Sequence, residues 1–377
     1  MNFELSDERQ MLQDSLRRFL NDNYSNKKIR SLLDSDTGYS ADIWSGLAEM
    51  GVIGALFSET DGGYGGAGFD LSTVFEELGR VGALDPLLDT AVLGGGVIAS
   101  AGSSTQKALL ESIIDGSLQL AFAHGEPQSR YELSRVSCTA RHKADGFVLD
   151  GHKSVVVNAT AADYLIVSAR SAGEVDSMQG ISLFLVPTST DGLTLTDFPL
   201  ASGGRAAEVL LENVRLDESA LLGNEGEGFD TLELANARAT VAICAEAVGL
   251  METIRALTTD YLQMRKQFGQ PIGKFQVLQH RMADVLTEIE QARSAVINLA
   301  GHVDGARDAR EKHVSATKNL IGLVGKLVAE ESIQMHGGIG MTEEYELAHL
   351  ARRLVMVDHR LGDSMHHLER FIDLAVT

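Results

Sequence analysis

A helical segment, a β domain and then a bundle of long helices form the fold class that the sequence predicts, and three observations predict it. Apolar residues recur at a near-helical period through the first 115 or so positions, alternate as in strands over about 116–222, and return to the helical period from Phe229 onward. Glycine and polar turns interrupt the middle region at short intervals, whereas the region after it carries long patterns with short links. The chain has 377 residues, 44% of them apolar, which exceeds the usual single domain and is enough for a sizeable core.

Ser6 precedes Asp7, Glu8 and an apolar series through Met11, Leu12, Leu16, Phe19 and Leu20, the pattern of a capped helix. A short helix is expected over 42–50, around Trp44. Residues 60–68 contain five glycines, which means either an irregular connector or a loop whose backbone lies against its neighbours. Helix resumes over 71–79, over the apolar stretch 90–102 with Gly94, Gly95 and Gly96, and over 104–114. Those three glycines either widen a space or permit tight packing. Short β runs follow at 118–124, 136–142, 146–149, 152–157, 163–169, 181–186, 193–199 and 208–214. Asp145 and Gly146 supply a hairpin turn, since Asp-Gly accepts positive φ. This reads as an antiparallel barrel or sandwich. Helical patterns at 229–264, 275–302, about 308–336 and 347–376 predict an antiparallel four-helix bundle. The expected domains are 1–115, 116–222 and 223–377.

Lys plus Arg number 32 and Asp plus Glu 53, a net charge of −21. That argues against nucleic acid and anionic membrane surfaces as partners, but leaves room for a local basic pocket. Cys138 and Cys244 form neither a disulfide framework nor a metal-ligand set, so no metal is expected. No apolar run reaches membrane-spanning length, and the first residues show no signal-peptide pattern, so a cytoplasmic location is expected.

The most informative stretch is 238–284. Two helical patterns flank a basic loop, residues 265–273, with Gly269, Pro271 and Gly273 ending the first helix. In so acidic a chain, such a loop is explained either by an anionic ligand or by an arginine that caps a helix and pairs with a carboxylate. The loop and the sequence after it, RKQFGQPIGKFQVLQHRMAD, closely resemble the acyl-CoA dehydrogenase family. Further motifs follow the family's order: the segment 47–54 before the glycine turn 61–66, the strands at 151–158 and 163–170, the junction 213–229, and the run Gln-Met-His-Gly-Gly-Ile-Gly at 334–340. The resemblance spans essentially the whole chain.

What the resemblance implies is specific. The fold would be acyl-CoA dehydrogenase-like. The reaction would be FAD-dependent α,β-dehydrogenation of an acyl-CoA thioester to the trans-2-enoyl-CoA, with an electron-transfer flavoprotein or similar acceptor as redox partner. Arg265 and Phe268 stand where the family contacts the FAD diphosphate and adenine, and a bidentate arginine suits a pyrophosphate. Gln334, Gly337, Gly338 and Gly340 stand in the second flavin signature. Both signatures serve a neighbouring subunit's FAD in the family, so a homo- or hetero-oligomer, dimer or tetramer, is implied. The family's base is a glutamate from one of two places. Alignment on Arg370 puts Asp363 at the C-terminal place. The other falls on Ala239, with Glu246 two turns later on the same helix face. Glu246 is either a base or a buried partner for an arginine. His366 and His367 are expected on the bundle's surface or in its core.

The sequence departs from the family in the β domain. The Thr-Glu-Pro-x-x-Gly-Ser-Asp run is replaced by His-Gly-Glu-Pro-Gln-Ser-Arg at 124–130, and Val155 and Val157 stand where the family has Trp and Thr or Ser beside the flavin ring. These departures resemble the small subunit of two-subunit acyl-CoA dehydrogenases acting on steroid side chains or dicarboxylic acids. A weakly active or non-catalytic partner subunit is therefore the alternative expectation.

Overall fold

The computed structural model describes residues 5–376. Helices α1 (Asp7–Asn23), α2 (Asn26–Leu33), α3 (Ala41–Glu49) and α4 (Gly68–Val81) come first. A π-helical segment, Leu88–Gly95, leads into α5 (Gly96–Ala101), α6 (Ser104–Lys107) and α7 (Leu109–Ile114). Eight strands follow: β1 (Leu120–Ala123), β2 (Thr139–Lys143), β3 (Gly146–Val157), β4 (Tyr164–Arg170), β5 (Ile181–Pro187), β6 (Leu193–Pro199), β7 (Arg205–Leu216) and β8 (Leu221–Leu222). The chain then forms α8 (Phe229–Met264), a minimal hairpin of β9 (Lys266–Gln267) and β10 (Gln270–Pro271), α9 (Gln276–His302), α10 (Arg307–His336), α11 (Leu347–Asp358) and α12 (Ser364–Val376).

Packing gathers these elements into two compact units that interleave along the chain. One holds the residues through Ser31, then Ala67–Ala83 and everything from Thr240 on. The other holds Leu32–Gly66 and Leu84–Ala239.

In the helical unit, α4 and α8 touch backbone to backbone. A Cβ on Gly79 would stand 2.0 Å from the carbonyl oxygen of Glu246, and one on Gly249 would stand 2.0 Å from that of Glu76. No larger residue fits at either position, so the crossing is fixed by these glycines. A charged seam then ties four helices together. Arg293 of α9 donates to Glu76 of α4 at 2.8 Å and to Glu252 of α8 at 2.6 Å. Arg17 of α1 grips Glu77 of α4 through two bonds of 2.8 and 2.6 Å. Such bidentate pairs fix register as well as adding attraction.

The expected single helix over 347–376 is two helices. Leu361 (φ +58°) and Gly362 (φ +106°) break it, and Gly362 adopts a backbone that β-carbon-bearing residues avoid. The buried Lys318 of α10 holds this turn, donating to the carbonyls of Gly362 at 2.5 Å and Asp358 at 3.1 Å. Asn319 donates to the carbonyl of Ser364 at 2.7 Å. His367 is buried core and donates through Nε2 to the Leu361 carbonyl at 2.9 Å.

In the sheet unit, the strands run in the order β6-β7-β3-β2-β4-β5-β8, with β1 on β4. Pairing is antiparallel except where β1 and β2 meet β4, which is parallel. The two runs expected at 146–149 and 152–157 are one strand, β3. Its inward residues Phe147, Leu149 and Val156 join Val167, Phe184, Val209 and Val214 in the core. The glycine loop at 60–68 lies against its neighbours, since a Cβ on Gly63 would stand 2.3 Å from the Phe57 carbonyl oxygen. Gly94 and Gly95 serve tight packing: added β-carbons would come within 2.7 Å of Leu120 and 2.5 Å of the Phe57 ring. A Cβ on Gly96 would meet nothing within 4 Å.

Candidate active site and cofactor-binding elements

The two flavin-like signatures end neighbouring helices. Arg265 and Phe268 follow α8, and Gly337, Gly338 and Gly340 follow α10. Tyr261, in the last turn of α8, stacks on His336, the last residue of α10, with ring centroids 4.5 Å apart. The stack sets the two signatures side by side within the helical unit.

The first signature is a two-residue hairpin. Gln267 pairs with Gln270, leaving Phe268 (φ +52°) and Gly269 (φ +79°) as the turn. Positive φ at both central residues is the type I′ geometry, which favours Asn or Gly at the first of them. Phe268 stands there instead, 91% exposed, its ring edge-on to Phe275. A phenylalanine in a left-handed conformation and out in water is doubly disfavoured for folding. Arg265, at the hairpin's base, is exposed. Its carbonyl accepts from Ile272 at 2.8 Å, which closes the loop.

The second signature turns sharply at Gly337 (φ +67°, ψ −145°), a region open in practice to glycine alone. Gly338 is different. Its φ is not positive, and an added Cβ would meet nothing within 4 Å. Nothing among the described residues requires glycine there, and the backbone stays open to approach from outside. A Cβ on Gly340 would instead press on His336 at 3.0 Å. Gln334 is exposed on the last turn of α10.

The two candidate carboxylates occupy different elements. Glu246 lies on α8, only 7% exposed, and accepts from Nε of Arg353 on α11 at 2.5 Å. This is the buried arginine pairing weighed from the sequence. Ala239, two turns earlier on the same helix, is fully buried. Asp363 precedes α12 and caps it, accepting from the backbone N–H of His366 at 2.8 Å. It is half-buried, on the turn that Lys318, Asn319 and His367 lock in place.

On the sheet unit, β3 carries one extra residue opposite β7: Lys153 faces Val209 and Val156 faces Ala207. The bulge leaves Val155 at φ +53° and 52% exposed, a costly conformation for a β-branched residue. Glu208 of β7 clamps it, accepting from Ser154 Oγ at 2.8 Å and from the Val155 N–H at 3.3 Å. Beneath the neighbouring end of β1 lies a polar cluster of buried Lys153, Glu126 and Ser168 with half-buried His124. Sequence reasoning missed it, although a lysine in an apolar strand and a glutamate before proline were its visible signs. The Glu126 carboxylate accepts from the N–H groups of Ser137 and Cys138 at 2.8 and 2.9 Å, and from Lys153 at 2.7 Å.

Among the described residues, no group of three or more His, Cys, Asp or Glu side chains could hold a metal ion, and no helix is long and apolar enough to cross a membrane.

Three domain profiles match in sequence order: the acyl-CoA dehydrogenase N-terminal domain over residues 6–117, the middle domain over 121–217 and the C-terminal domain over 226–364. The probable acyl-CoA dehydrogenase YngJ of Bacillus subtilis strain 168 is 29% identical, with 99% of this chain and 98% of that protein aligned. A solved structure of a variant of the Tcur3481–Tcur3483 steroid ACAD is 30% identical, with 98% of each chain covered and a TM-score of 0.88. A structure of PigA with FAD and proline is 25% identical, with a TM-score of 0.92 over 100% of this chain and 99% of that one. With all three domains matched in order and the fold shared end to end, the chain belongs to the acyl-CoA dehydrogenase family, flavin-dependent oxidoreductases that act on acyl-CoA.

Proposed function

We propose that this chain is a subunit of an FAD-dependent acyl-CoA dehydrogenase that introduces a trans-2 double bond into its thioester substrate, with Asp363 as the base. The observation that carries the cofactor reading is the pair of helix-end signatures held together by Tyr261 and His336. One presents an exposed guanidinium and an exposed ring, and the other an open glycine backbone. A dianionic diphosphate suits Arg265, and the Phe268 ring offers a face for adenine. Gly338 leaves room for backbone N–H groups to reach an oxygen of the ligand. Gln334 adds an amide at the same helix end. When bound, the flavin supplies the hydride acceptor for Cβ of the acyl group.

The chain's own part in the chemistry is the Cα proton. A carboxylate oxygen of Asp363 receives it. The turn that carries Asp363 is held by Lys318 and Asn319 of α10 and by His367 of α12, as a base must be to keep its reach. Glu246 takes no proton in this reading, because its carboxylate is committed to Arg353 inside the unit. Both signatures project from the unit's surface, which supports service to a neighbouring subunit's flavin in a dimer or tetramer, with an electron-transfer flavoprotein as acceptor.

A second reading has specific support: the chain is the weakly active partner in a heteromeric enzyme. Val155 and Val157 lack hydrogen-bonding groups, Ala239 carries no acid, and the 30% identical structure names two proteins. Expression of the chain alone, followed by its visible spectrum and turnover with an acyl-CoA panel and an artificial electron acceptor, separates the two readings. Bound flavin and turnover that proceed without a companion support the first. A colourless protein that turns yellow only beside a companion chain supports the second.

A further inference from the structure

The polar cluster under β1 fixes where each of its protons sits. A lysine ammonium has three N–H bonds. Those of Lys153, whose side chain is wholly buried, reach the Glu126 carboxylate at 2.7 Å, the His124 carbonyl at 3.1 Å and Ser168 Oγ at 3.1 Å. Every donor is used. Ser168 Oγ therefore accepts from Lys153 and must place its own proton elsewhere. The one further partner of that hydroxyl among the described residues is His124 Nδ1, at 2.9 Å. A hydroxyl that donates to Nδ1 leaves the imidazole proton on Nε2. Burial, with Lys153 close by, pushes the His124 pKa down to about 3, so the ring is neutral at physiological pH. His124 is thus held as a single tautomer, with a donor at Nε2.

Alternation along β1 sets the face on which His124 lies. Ala121 and Ala123 of β1 point into the sheet core, and Phe122 and His124 alternate to the other face, where their rings approach to 6.1 Å. The next residue, Gly125, accepts from the Ser154 N–H at 2.8 Å, beside the strained and exposed Val155. A Cβ on Gly125 would meet only the Ser154 carbonyl oxygen, at 3.5 Å, so space is left there. The two places where a hydrogen-bonding side chain is missing, Val155 and Val157, lie on β3, the strand that carries Ser154 and Lys153.

We propose that His124 is a cofactor-contacting residue of this chain, donating from Nε2 to an acceptor atom of the flavin ring, with Ser168 and Lys153 as positioning residues that set its tautomer. The inference rests on the flavin reading above. It gives the sheet unit a polar contact in place of those that Val155 and Val157 cannot make.

The test has two arms on the full chain. In the first, ¹⁵N-histidine-labelled protein without added flavin is studied by long-range ¹H–¹⁵N correlation. A His124 ring protonated on Nε2 at neutral pH is expected, and Ser168→Ala is expected to release it into a mixture. A ring protonated on Nδ1 in the unsubstituted protein overturns the proposal whatever the chain binds. In the second arm, FAD affinity is measured by flavin fluorescence. His124→Ala is expected to weaken binding roughly fivefold, the size of one neutral hydrogen bond. His124→Gln, whose amide N–H can stand near Nε2, is expected to recover most of it. Arg265→Ala is the control. If Arg265→Ala weakens FAD binding and His124→Ala does not, the His124 inference fails and the cofactor reading survives. If the unsubstituted chain takes up no FAD, alone or beside a companion, both fail.

Discussion

Arg353 of α11 donates through Nε to Glu246 of α8 at 2.5 Å, and both side chains are largely withdrawn from water. Removing one member strands the other's charge in a low-dielectric interior, which typically costs about 3 kcal/mol or more. We predict that Glu246→Gln lowers the unfolding midpoint clearly, while kcat of the folded enzyme stays within about threefold of the starting value. A double-mutant cycle with Arg353→Met checks the pairing, because independent effects would add. Unchanged stability with turnover lowered about tenfold or more would instead make Glu246 the base.

The observed cap and the proposed base function of Asp363 separate by choice of substituent. As a cap it accepts from the His366 N–H, and asparagine does this nearly as well as aspartate. As a base it needs a carboxylate. Asp363→Asn is therefore expected to keep stability within about 0.5 kcal/mol while lowering turnover at least roughly tenfold. Asp363→Ala should lose the cap as well, at a cost of about 1 kcal/mol. Thermal denaturation and steady-state kinetics on both variants decide the matter. An Asn variant with full turnover removes Asp363 from the mechanism.

The hairpin at 266–271 predicts effects of opposite sign. Phe268 sits at φ +52° with its ring in water, so Phe268→Gly relieves the backbone and removes exposed apolar surface. The variant is expected to be as stable as the original or more so, by up to about 1 kcal/mol, yet to bind FAD more weakly. Gly338→Ala should behave alike, since the added methyl meets nothing in the chain and, in the proposed site, would meet the cofactor. Chemical denaturation together with FAD titration reports both quantities. A variant that loses stability and keeps FAD affinity would assign these residues to folding instead.

How far the sequence could be read depended on the range of the interactions. Helix α8 was legible end to end because its apolar period runs unbroken to Gly269, and α9 and α10 were legible for the same reason. The break between α11 and α12 was hidden because residues 347–376 keep a helical period through it. Its one local sign is Gly362 followed by a capping Asp363. The lock on that turn comes from Lys318, over forty residues earlier, and no periodicity announces it. The Arg353–Glu246 pair could be posed as an alternative from a glutamate on an apolar helix, but the partner, 107 positions away, could not be named. The His124 cluster escaped because its parts come from three separated segments, and the parallel pairing of β1 on β4 that brings His124 beside Ser168 is a long-range choice. The motif residues Arg265, Phe268, Gly337, Gly338 and Gly340 stood out in the sequence because they belong to short contiguous runs whose backbone turns are local.

Acid should destabilise this protein early, and three histidines say where. Burial pushes His367 and His124 down to about 3 and His349 to about 4, each well below the value of an unfolded chain, about 6.5. Between those limits the unfolded state binds protons that the folded state refuses. Stability is therefore complete above about pH 6.5 and falls as the pH drops below it, until the folded-state values are reached. Each histidine contributes a slope of up to about 1.4 kcal/mol per pH unit, so the three together approach about 4. The expected result is an unfolding midpoint nearly flat from pH 8 to 7 that declines steeply between about pH 6 and 4.5, above the range where most carboxylates take up protons. His367→Gln keeps a donor for the Leu361 carbonyl but cannot take up a proton. It should make the decline shallower relative to the original, even if its stability at pH 8 is lower. A midpoint that holds or rises from pH 6.5 to 5, or an unchanged slope in His367→Gln, would show that these rings charge freely in the folded state.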